Sequence, residues 1–272
     1  PASVAARNIN NVIGPKLSRN NFRNQEALDA FLNELDGTPT KKKLGANAIL
    51  AVSTTFARAT AASRSVPLWK LIRDIYGIPV NHSREVTRPR LFMNLINGGL
   101  HSGSNLEFQE YIVIPRCATF REAVDIGLLI DHELGSYLRR KKGKQALNLG
   151  DEGGFAPNFT DELEPVRILH SVAKTIAKKM KIRERVDFGI DAAATNIKKL
   201  TPDKLADIYA KLARDKSFIY LEDPFAEEEF GKFAALTARF GNKLWIAGDD
   251  LTTTNVRRME RAHAEGSVNT VI

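Results

Sequence analysis

Three carboxylates, Asp191, Glu222 and Asp249, close three strand-like runs: Val186–Asp191, Phe218–Glu222 and Leu244–Asp249. They lie 31 and 27 residues apart, about the length of one strand–helix unit in a parallel sheet. That period puts all three at the carboxyl edge of neighbouring strands, where a (β/α) barrel builds its active site. Acids converging there repel one another unless a cation lies between them. Ligands that are all oxygen suit a hard ion such as Mg²⁺. Each acid alone reads equally as a helix N-cap; three at matched positions favour the metal. Asp223 and Asp250, next in sequence, alternate away from the interior and are expected to cap or support.

Other residues carry weaker signals. Gly150-Asp-Glu-Gly-Gly-Phe155 holds an acidic pair between glycines. Glycines permit close backbone approach to a ligand, and a carboxylic acid there can move a proton, although the loop alone reads as an ordinary turn. His101 sits in the loop Asn97–Gly103, where a lone histidine is usually solvated; without a Lys-Ser/Thr ending the loop is no phosphate-cradling P-loop. His82, His132, His170 and His263 lack metal-ligand spacing. Cys117, the sole cysteine, has no base partner, reads as packing, excludes a disulfide framework and fits a reducing compartment.

Elements must position these groups. Residues 1–80 read as mostly helical, with helices over Gln25–Leu35, Leu44–Arg64 and from Pro67 to near Gly77. A polar, proline-bracketed linker is expected over 81–89. Strands are expected at Leu91–Ile96 and Phe108–Ile114, the second stopped by Pro115. Helices follow over Phe120–Arg140 and about Glu162–Lys179, with Ile126, Ile130, Leu134 and Leu138 four apart. From residue 186 strands and helices alternate, which implies a parallel sheet. Thr201-Pro202-Asp203 opens one of those helices, and Leu205, Ile208 and Leu212 face its core side. Val268–Ile272 reads as a further strand. The fold class is therefore α/β, with an opening of two strands and two helices that a simple (β/α)₈ repeat does not have.

The 272 residues suffice for one large α/β domain and a smaller piece. No apolar run of 18 residues is present, so no spanning helix is expected. The formal charge is +8, from 40 basic and 32 acidic residues. Basic runs at Lys41–Lys43 and Arg139–Lys144 read either as a contact for an acidic partner or, without interleaved aromatic residues, as solvated helix ends. The chain starts at Pro1 without a signal-peptide pattern, and truncation is the expected reason for an uncovered last strand.

Taken together, these segments resemble enolase, the phosphopyruvate hydratase of glycolysis. The matching words are Glu34-Leu-Asp-Gly37, Lys43-Leu-Gly-Ala-Asn-Ala-Ile-Leu50, Asn97-Gly-Gly with His101 and Gly103, Phe108-Gln-Glu-Tyr111, Gly150-Asp-Glu-Gly-Gly-Phe-Ala-Pro-Asn158, Gly189-Ile-Asp-Ala-Ala-Ala194, Glu222-Asp-Pro-Phe225 and Gly248-Asp-Asp-Leu-Thr252. The resemblance implies an incomplete enolase-type β₂α₂(βα)₆ barrel over 90–272, preceded by a partial, mostly helical α+β cap domain over 1–80. It implies Asp191, Glu222 and Asp249 as Mg²⁺ ligands and Glu152 as general acid with Glu110 in the same acid network. His101, Gln109, Glu110, Glu222 and Asp249 would meet a small phosphorylated acid. The implied reaction is the reversible dehydration of 2-phosphoglycerate to phosphoenolpyruvate, in a cytoplasmic homodimer. The resemblance puts the catalytic base, a lysine, beyond Ile272, so this span alone is expected to be inactive. It also implies cap-domain strands before Pro1 and a hairpin after Ala194; here Thr195–Leu200 runs straight into the next helix. The alternative is an enolase-like structural subunit of a larger assembly, without activity, using its basic surface.

Overall fold

The computed structural model describes residues 1–78, 89–181 and 185–272. The linker expected over 81–89 and His82 fall outside the described residues, save for Pro89. Two compact units are present, Pro1–Val86 and Thr87–Ile272.

The first unit is helical where described. Helix α1 (Ala2–Asn8) runs through a π-helical turn (Ile9–Ile13) into α2 (Gly14–Leu17). Helix α3 (Gln25–Asp36) starts under the Asn24 side chain, which accepts from Ala27 N, and ends at Gly37 in the left-handed region. Helices α4 (Ala46–Ser63) and α5 (Leu68–Ile75) follow. Ile13, Leu28, Leu32, Leu44 and Ala48 form the core of this unit. The buried Asp36 carboxylate accepts from Leu44 N at 2.7 Å and Thr38 N at 3.0 Å, tying the end of α3 to the approach to α4.

In the second unit five strands form one sheet in sequence order: β1 (Met93–Asn97), β2 (Glu110–Pro115), β3 (Val186–Asp191), β4 (Phe218–Glu222) and β5 (Trp245–Ala247). The β1–β2 and β2–β3 pairs are antiparallel, whereas β3–β4 and β4–β5 are parallel. Between β2 and β3 lie α6 (Phe120–Lys142) and α7 (Glu164–Met180); α8 (Pro202–Leu212), α9 (Phe230–Phe240) and α10 (Val256–Ala264) complete the alternation. This is the opening of a β₂α₂(βα)-type barrel.

Alternation along each strand separates the two faces of the sheet. Tyr111, Val113, Phe188 and Ile190 pack with the buried stripes of α6 and α7, while Ile112, Ile114, Tyr220 and Ala247 cluster on the opposite face. Helix α6 begins where Thr119 accepts from Glu122 N and buries Ile126, Ile130, Leu134 and Leu138. Its basic run occupies the last turn, where cations oppose the negative end of the helix dipole; Lys142 there reaches Glu164 at 3.0 Å.

Two expectations are corrected. Pro115 is the last residue of β2 and pairs with Val186 instead of stopping the strand before it; a strand end needs no further N–H there. Val268–Ile272 is not a full strand. Only Thr270 bridges, parallel to Ala247, because the Asn269 side chain accepts the Ile246 N–H at 2.7 Å that a regular ladder would use.

Candidate active site

Four polar side chains arise from one row of cross-strand partners: Asn97 opposite Glu110, Glu110 opposite Asp191, and Asp191 opposite Glu222. Because β1, β3 and β4 end there and antiparallel β2 begins there, the row marks one rim of the sheet.

Asp191 and Glu222 come together at that rim, with Asp223 as third member; one carboxylate oxygen of each lies within 4.8 Å of the others. Asp191 is buried and accepts from Gln109 Nε2 at 2.9 Å and Ala193 N at 2.8 Å. Glu222 accepts from the Tyr220 hydroxyl at 2.6 Å. Burial, then the Glu222 charge, pushes Asp191 up to about 9. Burial, with the charges of Asp223, Asp249 and Asp250 against the Tyr220 hydrogen bond, pushes Glu222 up to about 7. Carboxylates that resist ionising together in an all-oxygen pocket are the donor set a hard divalent cation satisfies.

Asp249 stands outside that tight group. Strand β5 ends at Ala247, and Asp249 falls in the following turn, where its carbonyl accepts from Thr252 N and Thr253 N. Its charge nevertheless acts on Glu222 and Asp223. Asp223 carries that turn: its two oxygens accept from Asp250 N at 2.8 Å and Leu251 N at 3.4 Å. The expected supporting role of Asp223 thus has a physical form, and its carboxylate also lies nearer Asp191 and Glu222 than alternation predicts. The cause is its backbone, which leaves the strand at φ 37°.

Beside the carboxylates sits an acid pair. Glu152, in the glycine loop, accepts from Asn94 Nδ2 at 2.8 Å and Asn97 Nδ2 at 2.9 Å and contacts His101 Nδ1. The loop is seated on β1, where Asn97 N donates to Phe155 O and Asn97 Oδ1 accepts from Gly154 N, both at 2.9 Å. Gly150 has to be glycine there, since a Cβ would stand 2.6 Å from the Asn97 side chain and 2.7 Å from His101 O. Glu110 shares a hydrogen bond with Glu152. Burial, then Glu152, pushes Glu110 up to about 8. Burial works to raise Glu152 as well, but the hydrogen bonds from Glu110, Asn97 and His101 outweigh it and hold that carboxyl below its ordinary value. Burial and the neighbouring Glu152 thus favour the protonated form of Glu110, and the donors around Glu152 favour its carboxylate.

The structure thus gathers His101, Gln109, Glu110, Glu152, Asp191 and Glu222 around one rim, with His101 bonded to Glu152 and Gln109 to Asp191. Asn94, Tyr220 and the supporting part of Asn97 were not singled out from sequence. Asn94 also keeps a buried Oδ1 with no partner among the described residues. Of the remaining histidines, His170 lies in α7 with Nε2 2.7 Å from the Asp215 carboxylate, away from this rim.

Family models place these residues among known proteins. The model for "Enolase, C-terminal TIM barrel domain" matches residues 85–272, and that for "Enolase, N-terminal domain" matches residues 2–72. Enolase from Solanum lycopersicum is 36% identical over 296 positions, covering 99% of this chain. The chain spans about 65% of the length of that relative. The alignment is longer than the 272-residue chain, so the relative carries residues within this span that the chain lacks. With both units matched in order and the acidic row in place, the chain belongs to the enolase family.

Proposed function

We propose that the protein containing this chain is a Mg²⁺-dependent lyase interconverting 2-phosphoglycerate and phosphoenolpyruvate. The observation that carries this reading is the placement of Glu152, aimed by Asn94, Asn97 and His101, beside Glu110, which stands one strand away from the Asp191–Glu222 carboxylates. Elimination of water next to a carboxylate needs an acid for the departing hydroxyl and a cationic sink for the developing negative charge.

Asp191, Glu222 and Asp249 would hold the metal, with Gln109 and Ala193 N fixing Asp191 and Asp223 holding the turn that presents Asp249. The all-oxygen set and the raised Asp191 and Glu222 fit that ion. Bound Mg²⁺ supplies Lewis-acid polarisation of the substrate carboxylate. The chain's own residues would supply the proton through the Glu110–Glu152 pair, with Glu152 aimed into the site by Asn94, Asn97 and His101. Glu152 then protonates the leaving hydroxyl. The family resemblance puts the base that removes the substrate's α-proton beyond Ile272, so the full-length protein is the material to assay.

The test is the absorbance rise as phosphoenolpyruvate forms from 2-phosphoglycerate with Mg²⁺. Turnover that is lost with a chelator and restored by Mg²⁺ supports the reading. A full-length protein without turnover that holds a partner complex supports the structural-subunit alternative. A homodimer is proposed on the same family grounds, to be checked by light scattering. No helix among the described residues is long and apolar enough to cross a membrane.

A further inference from the structure

We infer that Tyr220 sets which divalent cation the carboxylate site accepts, by pinning Glu222 so that it offers one oxygen rather than two. The inference rests on the metal-site reading above. Tyr220 lies two residues before Glu222 on β4, on the same face of the sheet. Its hydroxyl donates to Glu222 Oε2 at 2.6 Å, the only hydrogen bond to this carboxylate among the described residues.

The ring that carries the hydroxyl is fixed from two sides. On β3 it lies over Gly189, where an added Cβ would stand 2.7 Å from Tyr220 Cβ and 3.0 Å from its ring. Just before β1, Phe92 meets it edge-on, with centroids 5.0 Å apart and planes at 79°. Gly189 on neighbouring β3 and Phe92 before β1 therefore leave the ring little freedom, and the hydroxyl holds Glu222 in one orientation. Asp191 is held in the same manner, with a donor on each oxygen.

A carboxylate pinned at one oxygen swings poorly into two-oxygen capture. Ca²⁺ takes six to eight oxygens at longer distances and draws on bidentate carboxylates; Mg²⁺ takes six at short distances, several of them water, and needs one oxygen from each carboxylate. Pinning thus favours the smaller ion. Partners that orient ligands in this way are worth about 10- to 100-fold in metal affinity.

The experiment is calorimetric titration of the metal-free full-length protein with Mg²⁺ and, separately, with Ca²⁺. The variant Tyr220→Phe keeps the ring against Gly189 and Phe92 and removes only the hydroxyl. Its Mg²⁺ affinity is expected to fall about 10-fold or more while Ca²⁺ affinity holds or rises, so that the preference ratio drops. Phe92→Leu, which loosens the clamp from a partly exposed position, is expected to move the ratio the same way by less; it carries the test if Tyr220→Phe does not fold. Equal losses for both ions, or no change in either, overturn the inference and leave Tyr220 as packing. A wild-type protein that binds neither ion overturns the metal site itself, a different failure from a wild type that binds Mg²⁺ with a ratio indifferent to both variants.

Discussion

Besides its bond with Glu110, Glu152 receives donors from three side chains, two on β1 and one in the loop that follows it. Glu152→Gln keeps its shape but has no acidic proton to give, which tests the proposed general acid. In the full-length protein kcat is expected to fall about 10²- to 10⁴-fold, with Mg²⁺ affinity by calorimetry changed little. Glu222→Gln has the opposite profile: it removes a charge from the metal site and is expected to weaken Mg²⁺ by about 10-fold or more. Unchanged affinity would remove Glu222 from the ligand set. At this scale the sequence was legible where a charge marked the residue. Asp191 and Glu222 were found from spacing because alternation and strand ends place them directly. Asp223 lies nearer Asp191 and Glu222 than its sequence position implies, since alternation holds only while the backbone stays extended and its φ of 37° breaks it. Asn94 escaped notice because a neutral amide in a strand carries no motif; only the pairing that brings the glycine loop against β1 gives it a partner.

Helices and strands were read closely from caps and periodicity. Thr119 and Thr201 both cap as their positions suggest, accepting from Glu122 N and Lys204 N. Thr119→Ala is expected to cost about 1 kcal/mol, seen as a shift of a few degrees in thermal midpoint without change in Mg²⁺ affinity. Gly189→Ala tests a feature that no periodicity reveals. Its methyl meets Tyr220 at 2.7 Å, and such overpacking costs about 1–3 kcal/mol. The same variant is expected to disturb Mg²⁺ binding, because the residue it displaces holds Glu222; a destabilised protein with wild-type Mg²⁺ affinity would separate packing from ligand geometry. The strand expected over Val268–Ile272 failed for a local reason, since an Asn side chain can imitate a backbone partner and here Asn269 does so toward Ile246.

For the molecule as a whole the buried acids make stability depend on pH with a definite sign. Burial raises Glu110, Asp191, Glu222 and Asp223 to about 8, 9, 7 and 6, against ordinary values of 3.8 to 4.5. Between the ordinary and the raised values the folded chain keeps protons that the unfolded chain has released. Stability contributed by these groups is therefore complete at about pH 4, falls as pH rises above it, and is gone once pH has passed the raised values of about 6 to 9. In chelator, the thermal midpoint is expected to fall across that window. Added Mg²⁺ takes the place of the protons, so its stabilising effect is expected to grow with pH and its binding to release protons to the buffer. A metal-free midpoint that climbs between pH 6 and 9 would contradict this electrostatic picture.

The single row Asn97, Glu110, Asp191, Glu222 also dictates where the gene tolerates changes in length. Dropping one residue from β2, β3 or β4 would reverse the facing of everything beyond it and scatter the acids to opposite sides of the wall. Dropping many from a connection would leave the row untouched. Lineages carrying this architecture should accumulate insertions and deletions freely between strands and almost never within them.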